Sequence, residues 1–130
     1  GDCAARDVVM VHVNPINRDD IPTDARAIMN RVNEVSFNSS VMREMENVIL
    51  INQLIDEGEL SSKRLKRIYL HAILDEEMMR QYSVASKVMP DMAFLAKLHE
   101  AGRTAADRWV HDHLDDVGKR DSADLKALYL

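Results

Sequence analysis

The chain has 130 residues, which suits one domain or a piece of a larger protein. Its hydrophobic fraction of 46% and charged fraction of 30% are typical of a soluble globular protein and exclude wholesale disorder. The net charge of −5 argues against a nucleic-acid partner, because phosphate binding needs a basic surface. A single cysteine, Cys3, excludes an internal disulfide and a cysteine-based zinc site.

The first predicted element is a β-strand in the run Asp7-Val-Val-Met-Val-His-Val13, which Asn14-Pro15 closes. The run is almost continuously apolar and β-branched, whereas a strand with one exposed face would alternate apolar and polar residues. We therefore expect a central or near-central strand of a parallel sheet, covered on both faces by the rest of this chain.

Two helices are predicted next. Thr23 can cap the first, whose apolar stripe is Ala25, Ile28, Met29, Val32 and Val35. The cluster Asn38-Ser39-Ser40 predicts a break, and a second helix then runs from Val41 to a stop at Gly58. Because Val48-Ile-Leu-Ile51 is apolar all round, we expect this second helix to be the most buried one.

The segment Ile68–Leu74 fits either a helical stripe or a buried strand, and periodicity alone does not decide between them. Its short length and the acidic stop Asp75-Glu-Glu77 favour a strand. A strand, a helical crossover and a second strand form the arrangement that parallel pairing requires. Two strands alone make a poor sheet, so the pattern suggests a piece of a longer α/β protein.

The rest of the chain is predicted to be helical. Residues 75–90 suggest a helical turn and then a loop from Ser83 to Pro90. Asp91 can cap a helix that stops at Gly102, and a further helix carries Trp109 and ends near Gly118. Ser122 can cap a last short helix. The predicted fold class is thus α/β: a mostly helical single domain or fragment, residues 1–130, with about two buried parallel strands.

The sequence lacks the motifs of self-contained catalysis. It has no Gly-x-Ser-x-Gly, no phosphate-binding loop and no dinucleotide fingerprint, so we predict no catalytic, cofactor-binding or metal-binding residues. The cluster His111-Asp-His-Leu-Asp-Asp116 contains metal-ligand types, but histidines two apart lie on different faces of a helix. A solvated helix end is the favoured interpretation. His12 and His71 could meet if their strands are neighbours, although a hydrogen-bonded core histidine is the favoured role for each.

Two surface features could contact lipid. The basic cluster Lys63-Arg-Leu-Lys-Arg67 could meet an anionic head group, although an ordinary exposed turn is the favoured interpretation. Four of the eight methionines, whose flexible thioethers suit adaptable apolar surfaces, fall around one predicted loop. Core packing is their default role. These methionines are Met78, Met79, Met89 and Met92.

Several segments together resemble the C-terminal part of bacterial patatin-like phospholipases. The most specific is Ala27-Ile-Met-Asn-Arg-Val-Asn-Glu-Val-Ser-Phe-Asn-Ser-Ser40, and the strand Asp7–Pro15 is similar as well. Further similar segments are Ala85-Ser-Lys87, Phe94-Leu95 and Ala105-Ala-Asp-Arg-Trp109. The resemblance spans about residues 7 to 130.

The resemblance implies a three-layer α/β sandwich with a Ser–Asp dyad. In that family the nucleophile lies in Gly-x-Ser-x-Gly, the aspartate lies in Asp-Gly-Gly/Ala, and a glycine-rich loop forms the oxyanion hole. None of these motifs occurs here, so no catalytic residue is carried over. The resemblance places the active site upstream of Gly1, makes residues 8–13 a late strand of the catalytic sheet, and favours a strand at residues 68–74.

The resemblance therefore predicts the non-catalytic C-terminal region of a lipid acyl hydrolase, inactive when isolated. The alternative is an independent α-rich protein–protein interaction module, recruited through the methionine-rich or Trp109-bearing helices. The expected partners are the parent catalytic domain, a second copy in a homodimer and a lipid surface. The absence of a signal peptide or an apolar span of about 18–20 residues predicts a cytoplasmic chain, peripheral to the membrane at most.

Overall fold

The computed structural model describes residues 4–16, 21–61, 65–81 and 91–129. Its fold is mixed α/β, as predicted: mostly helical with one two-stranded parallel sheet. In chain order the elements are β1 (Asp7–Val11), α1 (Ala25–Asp56), β2 (Tyr69–Ile73), α2 (Glu76–Gln81), α3 (Met92–His113), a 3-10 helix (Leu114–Asp116) and α4 (Leu125–Tyr129).

The sheet confirms both predicted strands. β1 pairs with β2 in parallel, with Asp7 opposite Tyr69 and Val11 opposite Ile73. The ambiguous segment around residues 68–74 is therefore a strand. The intervening α1 supplies the helical crossover that a parallel pair needs.

The two predicted helices of residues 23–58 are one continuous helix, α1. The predicted break at Asn38-Ser39-Ser40 is wrong, because these polar side chains find partners without interrupting the helix. The Asn38 amide donates to the Pro15 carbonyl at 2.8 Å, and the Ser39 hydroxyl donates to the Ser36 carbonyl at 3.0 Å. Asp24, rather than Thr23, caps the helix. Gly58 follows the helix with φ +79°, which confirms it as the stop.

The C-terminal helices differ from prediction in two places. Asp91 caps α3 as predicted, but the helix continues through Gly102 to His113 instead of ending there. Ser122 does not cap the last helix, because the Asp124 carboxylate accepts from the Ala127 amide at its start. The helical turn after Asp75 is confirmed as α2. The loop predicted from Ser83 to Pro90 lies outside the described residues.

Apolar burial is concentrated on β2. Leu70 is 1% exposed, and Ala105, at 7%, is the only other buried hydrophobic residue among those described. The prediction that β1 is covered on both faces is wrong for the described part of the chain, because Val8 and Val11 are 41% and 66% exposed. In the segment Val48-Ile-Leu-Ile51, which we expected in the most buried helix, Leu50 is 55% exposed and the other three residues are half-buried. No helix in the described ranges is long and apolar enough to cross a membrane.

Candidate functional site

A chain of three hydrogen-bonded side chains joins β1, β2 and the segment before α4. The His71 ring accepts or donates at both nitrogens: Nδ1 lies 2.8 Å from the Ser122 hydroxyl, and Nε2 lies 3.0 Å from the Asp7 carboxylate. The parallel register places Val9 opposite His71. Asp7 lies two residues before Val9 and therefore on the same face of the sheet as His71. We call Asp7, His71 and Ser122 the polar relay.

The charge on Asp7 decides which atoms of the polar relay donate and which accept hydrogen bonds. A hydrogen bond from the Gly118 amide at 2.7 Å, followed by the bond to His71, lowers the pKa of Asp7 below its ordinary value. An ionised carboxylate only accepts, so Nε2 of His71 carries hydrogen. In the neutral ring Nδ1 then accepts, and the Ser122 hydroxyl donates to it.

The relay has the residue types of a serine hydrolase, yet its geometry fits a structural role. In such enzymes the histidine passes a proton to the leaving group and must therefore border the substrate. The His71 side chain is fully buried, and the Trp109 ring lies against it edge-on at 5.5 Å between centroids. Ser122 does not line any of the described cavities. The relay thus fastens residues 118–122 to the sheet.

Asp121 makes a second connection to β2. One of its carboxylate oxygens accepts from the Leu70 amide at 2.7 Å, and the other pairs with Arg67 at 3.0 Å. Arg67 also donates to Asp56 of α1 at 2.9 Å and stacks over the Tyr69 ring at 4.9 Å. Burial alone would lower the pKa of Arg67, but the hydrogen bonds to Asp56 and Asp121 raise it. This ion network ties α1, β2 and the C-terminal segment together.

Asn52 of α1 pairs with the strand entry in both directions. Its amide donates to the Ile68 carbonyl at 2.7 Å, and its carbonyl oxygen accepts from the Ile68 amide at 3.0 Å. Asn52 is 5% exposed, so both halves of a buried side-chain amide are satisfied. The asparagine therefore fixes α1 against the residue that precedes β2.

The histidine–aspartate cluster at the end of α3 divides between surface and interior. His111, Asp112 and Asp115 are exposed, as expected for a solvated helix end. Asp116 is instead 7% exposed, with His113 at 3.1 Å and Arg120 at 2.6 Å, and the bond from His113 comes first among the causes that lower its pKa. In the described ranges no group of three or more His, Cys, Asp or Glu side chains is placed to hold a metal ion.

The other candidate residues are not brought into one site. His12 does not face His71 across the sheet, because Val9 holds that register position, while the His12 amide donates to the Ile73 carbonyl at 3.0 Å. Burial lowers the pKa of His12 and a charge on Glu76 opposes this. Met78 and Met79 are half-buried in α2, whereas Met92 is 80% exposed. Lys63, Arg64 and Met89 lie outside the described residues.

Sequence reasoning missed Asp7, Asp121, Trp109 and Asn52 as interacting residues, and it assigned Ser122 to a different role. The only local signal was the pair Asp121-Ser122 just ahead of a helix, which is equally typical of a cap. Comparison with known proteins gives no further guide: no family model, no curated protein and no solved structure matches the chain.

Proposed function

We propose that this chain is the non-catalytic C-terminal region of a patatin-like phospholipase, and that it completes the catalytic sheet of the parent enzyme. The observation that carries the proposal is the exposure of β1. This apolar strand has an open edge and two partly exposed faces, whereas the neighbouring strand β2 contains the buried residues Leu70 and His71.

The open edge follows from the ladder between the two strands. The Arg6 carbonyl accepts from the Tyr69 amide at 2.8 Å, and the His12 amide donates to the Ile73 carbonyl at 3.0 Å. In a parallel ladder these bonds mean that the main-chain N–H and C=O groups of the even-numbered residues of β1 point towards β2. The main-chain groups of Val9 and Val11 therefore point to the opposite edge, where the described part of the chain places no strand.

Both faces of β1 are open as well. Val8 projects from one face and is 41% exposed, while Val9 and Val11 project from the other and are 45% and 66% exposed. On β2 the corresponding neighbours Leu70 and His71 are 1% and 0% exposed. Parallel sheets are stable with both faces covered, so β1 has the composition and position of an interior strand.

The total surface supports a large docking area. The chain exposes 9214 Å², against about 7,000 Å² expected for a compact monomer of this mass. A larger exposed surface is expected of a chain that buries part of it against a partner. This surface includes exposed apolar residues of α1, namely Ile28, Met29, Val32 and Val35.

The occupant we propose is the upstream catalytic region of the same protein. It would contribute a strand parallel to β1 and cover for both of its faces. The resemblance places the Ser–Asp dyad in that region, which agrees with the lack of a nucleophile motif in this chain. The role of the chain is then to close and stabilise the sheet on which the dyad sits.

The proposal is tested by splitting the parent enzyme at residue 1. The upstream region and this chain are expressed separately, and ester hydrolysis is measured with and without mixing. We expect mixing to restore activity. Val11→Lys should abolish the restoration, because it places a charge on the face of β1 that the upstream region would cover.

Val110→Lys is the matched control, since Val110 is a 46% exposed valine on α3, away from β1. It should leave the restoration unchanged. A parent reading frame without Gly-x-Ser-x-Gly, or restoration that is insensitive to Val11→Lys, contradicts the proposal. An upstream region that does not bind this chain would favour the alternative, an independent interaction module.

A further inference from the structure

A cavity lies where the end of α1 meets the segment that leads into α4. Its volume is about 420 Å³, against about 120 and 130 Å³ for the two other described cavities. Pockets that bind small molecules usually measure about 300–1,000 Å³. The walls come from the C-terminal turns of α1, from Arg67 and from the segment around Ala123. We call this space the α1–α4 cavity, and it is large enough for a small organic molecule.

Hydrogen bonds within the chain hold the walls of the α1–α4 cavity. Asn52 pairs with both main-chain groups of Ile68, and Asp124 caps α4. The Gln53 amide donates to the Glu57 carboxylate at 2.9 Å. Because these contacts fix the side chains in advance, a ligand would not have to order them on binding.

Acidic side chains outnumber basic ones in the walls. Four carboxylates line the cavity against two cationic side chains, Arg67 and Lys126. Arg67 already pairs with two of these carboxylates. The other two, Glu57 and Asp124, each use one oxygen in a hydrogen bond and form no ion pair in the described part of the chain. The surplus of acceptors and of negative charge favours a ligand that carries donors and positive charge.

Two other ligand classes fit the cavity less well. A divalent metal ion needs several oxygen ligands around one point, and no three or more His, Cys, Asp or Glu side chains among the described residues are placed in that way. An anion would have to be bound by Lys126 alone, since Arg67 is held by two carboxylates. An organic cation needs only separate single contacts, and Ile49 and Ala123 offer apolar surface for a hydrocarbon stem.

We infer that the α1–α4 cavity binds a small organic diamine, which is two ammonium groups joined by a short methylene chain. Two positive charges balance the surplus of two carboxylates. Glu57 and Asp124 accept hydrogen bonds from the ammonium groups, and the methylene chain packs on Ile49 and Ala123. This goes beyond the proposed function and does not depend on it, because every wall residue belongs to this chain.

The test is a titration of the 130-residue chain with 1,4-diaminobutane, followed by amide chemical shifts. The ionic strength is held constant, because salt screens such contacts. We expect saturable shifts at Gln53, Ala123 and Lys126. The uncharged analogue 1,4-butanediol has the same chain length and should produce no saturable shift.

Charge-removing substitutions then identify the contacts. Glu57→Gln and Asp124→Asn keep the oxygens that accept from Gln53 and that cap α4, so both should leave the fold intact. Each should weaken diamine binding about two- to fivefold, as expected for an exposed charge pair. Lys126→Gln should tighten it by a similar factor, because it removes a like charge. Glu46→Gln is the matched control, since Glu46 is exposed on the same helix and does not line the cavity.

The absence of a saturable shift with the diamine would overturn the inference, as would binding that Glu57→Gln and Asp124→Asn leave unchanged. Equal weakening by Glu46→Gln would show a general attraction to the acidic surface and would also overturn it. Mg²⁺ that saturates the same amides at a lower concentration than the diamine would assign the cavity to an inorganic cation, against the inference.

Discussion

Replacing Ser122 with alanine isolates the contribution of the polar relay to stability. The substitution removes one hydroxyl and leaves Nδ1 of the fully buried His71 ring without a partner. A buried polar group that loses its only partner destabilises by about 1–3 kcal/mol. Protonating Nδ1 gives no relief, since the new N–H would also lack an acceptor. We expect a loss within this range, which lowers the melting temperature by about 3–5 °C for each kcal/mol.

The assay is urea unfolding followed by circular dichroism, with Ser39→Ala as the control. Ser39 is exposed and donates within α1, so its loss should change stability by less than about 0.5 kcal/mol. Nitrogen NMR of the wild-type chain should find the His71 hydrogen on Nε2, because Asp7 accepts there. A Ser122→Ala variant as stable as the wild type, or a neutral His71 ring protonated at Nδ1, would refute this account of the relay.

Two further predictions concern pH and catalysis. Because Asp7 and Asp116 have lowered pKa values in the fold, the folded state binds fewer protons than the unfolded state at acid pH. Their stabilisation should be complete above the ordinary aspartate pKa of about 3.9 and disappear as the pH falls below it; unfolding free energy that rises toward acid would contradict this. The isolated chain should not hydrolyse nitrophenyl esters, since His71 has no exposed surface, and turnover abolished by Ser122→Ala would show that Ser122 is a nucleophile after all.

The sequence predicted the elements whose signals are local. A β-branched run predicted β1, and short length with an acidic stop favoured a strand at β2. Asp91 predicted a helix start. Gly58 and Gly118 predicted helix ends, and both glycines have positive φ, +79° and +74°. Each of these depends on residues within one or two turns of each other. The break expected at Asn38-Ser39-Ser40 failed because a distant carbonyl, that of Pro15, satisfies Asn38 within the helix.

The candidate site was not predictable in the same way, because its contacts join distant parts of the chain. Asp7 and Gly118 are 111 residues apart, and His71 lies 64 residues from Asp7 and 51 from Ser122. Sequence reasoning favoured a hydrogen-bonded core role for His71, and the structure confirms it. It could not identify the partners, because strand register and the return of the C-terminal segment to β2 leave no periodic signal.

The claim that β1 is an interior strand of a larger sheet is tested most directly by amide exchange at Val9 and Val11. The measurement is made on this chain alone and after mixing with the upstream region of the parent enzyme. We expect both amides to exchange rapidly in the isolated chain and to be protected at least a hundredfold in the complex, while Leu70 stays protected throughout. Unchanged exchange at Val9 and Val11 in an active, reconstituted enzyme would contradict the claim.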